Sequence, residues 1–187
     1  MNSELRTERR GTANHQTYID GKVRGFFTPF TFRDLSAIVD GTSNTVAFSE
    51  SAVSASVDGD MRLRGGIVSS VSGGYAWNGN PSKCFNSRSG NELSIAAGGS
   101  FTYNYRGQRT VDGRIICTGF VTVLPPNSPS CSPVNNSLQP GFSTMTANGY
   151  HGGGVNAALG DGSVRFVSET IDSGNVNNNQ NLQGESA

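Results

Sequence analysis

The sequence predicts a mostly β fold with one or more short helices, an α+β class domain built on an antiparallel sheet that closes with a C-terminal β-hairpin. Three observations predict it. The 187 residues include 25 glycines, beside abundant Ser, Thr and Asn, and glycine costs a helix interior about 1 kcal/mol each. Short β-branched and aromatic runs recur between Gly, Pro and Asn clusters, as strands do between turns. Near the C-terminus an Asp-Gly pair separates two alternating runs, the pattern of a tight hairpin.

Residues 1–25 are polar and Gly-punctuated with no sustained periodicity, and are expected to form an irregular arm. Residues 26–172 are expected to form a single globular head, since a chain of this length supports one core. In Thr31–Val39, Phe32, Leu35, Ile38 and Val39 share a helical face, with Thr31 as N-cap and Asp34 three residues on. Asp40-Gly41 stops that helix, Gly41 being free to adopt the left-handed conformation. Thr45–Ser51 reads as a strand through Val46 and Phe48, and Ile67–Val71 as a short second one. Phe101–Tyr105, Arg114–Thr118 and Phe120–Leu124 read as middle strands, the last ended by Pro125-Pro126. Val155, Ala157 and Leu159 alternate before Gly160-Asp161-Gly162-Ser163, and Val164, Phe166 and Val167 follow. Residues 173–187, rich in Asn and Gln, are expected to be a flexible polar tail.

Formal net charge is zero, from 14 basic and 14 acidic residues, and no run of either sign occurs. Bulk charge therefore gives nucleic acid nothing to bind, and none is expected as a partner. No stretch of about 18 apolar residues is present, and Met1–Arg10 is too polar for a signal peptide. The three cysteines lack the paired spacing of a zinc site. Cys84 and Cys131, each in a Pro/Ser/Asn loop, are the expected disulfide if the protein is secreted. Cys117, inside an apolar run, is expected to be buried as a small hydrophobe.

Three segments carry a family resemblance. His151 is followed by nine residues and then Asp161-Gly162; Asp40-Gly41-Thr42-Ser43-Asn44-Thr45 leads into a strand ending at Glu50; and Leu124-Pro125-Pro126-Asn127-Ser128-Pro129-Ser130-Cys131 has Arg106-Gly107 and Gly119-Phe120 upstream. In this order the chain resembles the bacterial prepilin-like proteins, of type IV pilin and type II secretion pseudopilin kind, that carry a cleaved and methylated N-terminal helix and a C-terminal His-x9-Asp-Gly motif. The family's Gly-Phe-Thr-Leu-x-Glu cleavage site and apolar assembly helix are absent from this sequence. The resemblance implies an extracytoplasmic, non-enzymatic head of pilin-like fold, on the periplasmic face or cell surface, working by contact with subunits of the same or a related type. It implies membrane attachment only through such a helix.

The motif residues also raise chemical readings. In a straight two-residue hairpin, His151 and Asp161 would stand about 25–30 Å apart at about 3.3 Å per residue. They could share neither a proton nor a metal, so both are expected to be structural, with His151 bonding near Gly152–Gly154, where the backbone passes close to another element. The oxygen-rich segment Asp40–Thr45 offers a structural cation a set of ligands, against the plainer reading of a helix cap followed by a side-chain-bonded turn. No other cofactor is implied. Glu50 has no obvious carboxylate partner for acid-base work. A hydrolase would have to be built on His151, because no Gly-x-Ser-x-Gly elbow occurs and the other histidine, His15, lies in the arm. Tyr75 and Trp77, in a Gly-rich loop, suggest a contact platform for a surface glycan or protein partner, with core packing as the alternative.

Overall fold

The Asp-Gly hairpin is the best-formed element of the computed structural model, which describes residues 26–27, 33–55, 60–69, 80–94, 106–113, 115–132 and 143–177. The described residues fold as a mostly β structure with antiparallel sheets and few short helices. In chain order the regular elements are a single 3-10 turn at Leu35–Ala37, β1 (Val46–Ser49), α1 (Pro81–Phe85), β2 (Arg88–Ser89), β3 (Glu92–Leu93), β4 (Gly154–Leu159) and β5 (Val164–Ser168). The main sheet is three-stranded in the order β1-β4-β5, with β2 and β3 forming a separate two-stranded ribbon.

β4 alternates because one of its faces is covered. Val155, Ala157 and Leu159 are buried, while Asn156 and Ala158 are half-buried on the opposite face. β5 pairs antiparallel in strict register, Val155 with Val167 and Ala158 with Val164. The loop between them holds three residues and not two: the Gly162 amide donates to Leu159 O at 3.0 Å, the Leu159 amide donates to Ser163 O at 2.8 Å, and Gly162 takes φ +84°. A turn followed by a left-handed glycine is the usual three-residue connection, and it keeps the right-handed twist of the strands. β1 adds to the other edge of β4, with Val46 opposite Leu159 and Ser49 opposite Ala157, and a register shift between Val46 and Phe48. Ala47 is buried and Phe48 is 51% exposed, so Phe48 lies on the outer face of the strand.

The helix expected over Thr31–Val39 does not form within the described residues, which begin there at Arg33. Only the 3-10 turn is present; Asp34 precedes it without a side-chain cap bond, and none of its residues is buried. Leu35 is 64% and Val39 89% exposed, so these two side chains are not packed against a core. A helix this short depends on such packing to offset its nucleation cost. Gly41 does take the left-handed conformation, at φ +87°.

Three expected strands are corrected in the same way. Of Ile67–Val71 the described part ends at Ser69, and in it Val68 bridges Cys131; Ile115–Thr118 is a turn; and Phe120–Leu124 holds a bridge position at Phe120 and then bends over Thr122–Leu124, with Val121 N donating to Met145 O. Ile67, Val68, Ile115, Ile116, Cys117, Phe120, Val121 and Leu124 are buried nonetheless. Ile67, Ile115, Ile116, Cys117, Val121 and Met145 form one core cluster, so apolar content reported burial correctly and geometry wrongly. A second cluster gathers Leu63, Val68, Leu93 and Leu124 around Cys84 and Cys131. Those two cysteines are joined in a disulfide with Cα atoms 5.8 Å apart, and Cys117 is a buried thiol. A third cluster, Phe120, Ala147 and Val155, backs the main sheet. Phe101–Tyr105, Arg114 and the tail beyond residue 177 lie outside the described residues.

Candidate functional site

The motif residues meet at the two ends of β1. At its start, Asp40–Thr45 folds into a turn held by its own side chains: Asn44 Nδ2 donates to Asp40 O at 3.0 Å and Thr45 Oγ1 to Gly41 O at 3.1 Å. The hairpin tip sits on this turn. Gly160 N donates to Thr45 O at 2.8 Å and Asp161 N to Thr42 O at 3.2 Å. A Cβ on Gly160 would lie 3.1 Å from Thr42 O, so the approach requires a residue without one or a small shift. The carbonyls of Asp40, Gly41, Thr42 and Thr45 accept these bonds, and Ser43 sits exposed at the bend. The segment forms a side-chain-bonded turn, preceded by a 3-10 turn and not by the expected helix, and it seats the hairpin. Among the described residues no group of three His, Cys, Asp or Glu side chains is placed to hold a metal ion.

Asp161 governs the tip. Its Oδ1 accepts from Ser163 N at 2.9 Å and from Ser163 Oγ at 2.7 Å, a side-chain turn that fixes the loop. Those two bonds from Ser163 hold its carboxyl below the usual range.

Past the far end of β1 stands Glu50. Antiparallel pairing carries it opposite Asn156, and its carboxylate accepts from Asn156 N at 3.2 Å and from Asn156 Nδ2 at 2.9 Å. His151 Nε2 reaches the same carboxylate at 2.8 Å. A Cβ on Gly149 would fall 2.5 Å from Glu50 Oε2, so a larger residue there would displace the carboxylate from its present position. Burial raises the Glu50 carboxyl, but the Asn156 bonds and the His151 charge outweigh it, and the group ends below its ordinary value. His151 thus binds Glu50, where a bond near Gly152–Gly154 was expected. The close backbone approach falls at Gly154 alone, whose Cβ would collide with Val167 O. Glu50 has a histidine and an amide as partners, a pairing invisible to a search for a second carboxylate.

His151 and Asp161 are consequently not brought together: one is bonded at Glu50 and the other to Ser163 at the opposite end of the hairpin. Beside His151, Tyr150 OH accepts from Arg62 Nη1 at 3.2 Å. Arg62 in turn clasps Asp60, donating from Nε at 3.0 Å and from Nη2 at 2.9 Å. Ser54 Oγ and Ala55 N also donate to Asp60 Oδ2, at 3.2 and 2.8 Å. Burial raises the Asp60 carboxyl, but Arg62 and the backbone donors bring it down to about 2. Asp60 and Arg62 gave no signal in the sequence. Arg106, fully buried, donates to Gly119 O at 2.8 Å and Thr146 O at 2.6 Å, so the two upstream motif pairs touch. Burial lowers its guanidinium to about 10, with the Cys117 thiol acting the other way, and it stays charged at neutral pH.

The outer face of the main sheet is apolar. Phe48 and Ala158 are opposite one another, Val164 pairs with Ala158 and Phe166 with Asn156, and these side chains share one face by the two-residue period of strands. Val164 is 67% and Phe166 54% exposed, and the Phe27 ring lies 5.5 Å from that of Phe48. These apolar side chains form an exposed stripe on the sheet. Tyr75 and Trp77 lie outside the described residues. No helix among the described residues is long and apolar enough to cross a membrane.

Residues 2–174 match the model of a family described as a protein of unknown function (DUF1559). No curated protein and no solved structure matches the chain.

Proposed function

The chain belongs to the DUF1559 family, and we propose that it is an extracytoplasmic, non-enzymatic structural head of pilin-like or pseudopilin-like type, acting by contact with subunits of the same or a related kind. The observation that carries this reading is the apolar outer sheet face of Phe48, Val164 and Phe166, each more than half exposed. The family's association with pilin-like proteins supports it, and the Cys84–Cys131 disulfide is compatible with an oxidising compartment. On this reading the motif residues build the surface: Asp40–Thr45 and Asp161-Gly162 lock one end of the β1-β4-β5 sheet, Glu50 and His151 the other, and the locked sheet presents its outer face.

No catalytic step is assigned to His151. Its hydrogen-bond partner among the described residues is a carboxylate, which orients an imidazole, but acyl transfer also needs a nucleophile on the second ring nitrogen. Zero net charge gives nucleic acid no electrostatic footing.

A photo-crosslinking residue at position 166, in the organism that makes the protein, tests the reading. The expected adduct is with a second copy or a related head, and the same probe at exposed Lys83 on α1 gives none. Equal adducts from both positions, or none from 166, would overturn it.

A further inference from the structure

A polar cavity of about 260 Å³ opens beside the Pro126-Asn127-Ser128 turn, walled by Arg64, by Phe85 at the end of α1, by Arg88 of β2 and by Glu169 beyond β5. It lies apart from the Glu50–His151 pair and from the apolar sheet face, neither of which contributes to its lining. Its volume is just below the roughly 300–1,000 Å³ of ordinary small-molecule sites, which suits one ring and not a chain.

The charges in this cavity are not matched. Glu169 is its single carboxylate, and Asn127 Nδ2 already holds Glu169 Oε2 at 3.0 Å. Arg64 Nη2 approaches that oxygen only to 4.0 Å, the outer limit of an ion pair. Arg88 forms no ion pair among the described residues; its guanidinium lies over the Phe85 ring, 4.7 Å from the centroid. That stacking holds the planar fork in place while leaving its N–H donors for a ligand. Two guanidiniums and one engaged carboxylate leave the cavity with a net positive charge.

Asn127 is the post around which this is built. It is a non-glycine residue at φ +60°, a conformation asparagine tolerates better than most. It is buried to 4% exposure. Its Oδ1 accepts from Gly149 N at 3.1 Å and its backbone N donates to Ala147 O at 2.9 Å. These bonds fix the side chain that restrains Glu169, so the carboxylate that would neutralise Arg64 is held at a distance. Asn91 and Thr170 add amide and hydroxyl groups to the wall, and Leu63 and Pro126 add apolar surface.

The geometry points to a binding site for a carboxylated sugar, a uronic acid unit of a surface polysaccharide. The two guanidiniums take the carboxylate as Arg forks do, the amide and hydroxyl groups meet ring hydroxyls, and Leu63 and Pro126 meet the C–H face. A phosphate or simple carboxylate would use the guanidiniums and leave the rest of the wall idle. This site is independent of the sheet face assigned to subunit contact.

Titration of the full chain with glucuronate, glucose, acetate and inorganic phosphate, followed by NMR shifts and calorimetry, tests the assignment. Glucuronate is expected to bind at least about tenfold more tightly than each of the other three, a difference of about 1.4 kcal/mol. Arg88→Gln and Arg64→Gln should each weaken glucuronate about tenfold with unchanged circular dichroism and melting temperature. Equal binding of glucose would remove the role of the guanidiniums, and equal binding of phosphate or acetate would remove the sugar; either result overturns the proposal. So does an absence of glucuronate binding at millimolar concentration.

Discussion

Replacing both Cys84 and Cys131 by alanine removes a cross-link between residues 47 positions apart. For a closed loop of that length the chain-entropy relation gives a loss of about 14 cal/mol/K, or about 4 kcal/mol at 25 °C. That is a large part of the roughly 5–15 kcal/mol by which a domain is stable. The sulfurs also lie inside the cluster of Leu63, Val68, Leu93 and Leu124, so alanine leaves a packing defect on top of the lost tether. Reduced wild-type protein keeps the sulfur volume and loses only the tether. Urea unfolding of oxidised wild type, reduced wild type and the double variant, followed by circular dichroism, therefore separates the two contributions. With a slope of about 2 kcal/mol/M, reduction should lower the midpoint by about 2 M, and the double variant should fall further. A reduced protein that loses less than about 1 kcal/mol would refute the reasoning, because the tether would then constrain little of the unfolded chain.

Other outcomes follow from the lock residues. Asp60 has its carboxyl lowered from 3.8 to about 2, so its stabilisation is complete above pH 3.8 and is lost as pH falls through about 2; Asp60→Asn should flatten the acid limb of a stability-pH curve there, and an identical limb would contradict the assignment. Glu50→Ala strips the carboxylate from Asn156 N, Asn156 Nδ2 and His151 and should cost about 1.5–3 kcal/mol in urea unfolding. His151→Ala removes a side chain that is 57% exposed and should cost no more than about 1 kcal/mol; equal costs would show that Glu50 acts through the histidine and not through the strand. Gly154→Ala places a Cβ against Val167 O and should cost about 1–3 kcal/mol, with loss of amide protection in β5 by hydrogen exchange.

What the sequence made legible was local. The hairpin was readable because Asp161-Gly162 and the alternation of Val155, Ala157 and Leu159 lie within a few residues of one another, although the loop holds three residues because Gly162 continues a turn begun at Leu159. The left-handed Gly41 was readable for the same reason. Ile115, Ile116 and Cys117 show the limit: all three are at most 1% exposed, yet they sit in a turn, since β-branched runs report burial and not whether a ladder partner is present. Leu35 and Val39 fail oppositely, apolar at helical spacing but exposed. The Glu50 lock was out of reach because Asn156 is 106 positions away, and only the register of β1 against β4 places them together. Arg64, Arg88 and Asn127 are likewise far apart in the chain and carry no shared pattern.

The central claim, that the protein works by packing its outer sheet face on another subunit, is tested most directly by sedimentation velocity across a concentration series. The account predicts self-association, or association with a related head, that disappears in Phe166→Asp and Val164→Asp. Both residues are more than half exposed, so the melting temperatures should stay close to wild type. Association unchanged by both substitutions, or a monomer at every concentration with every related head, would contradict it.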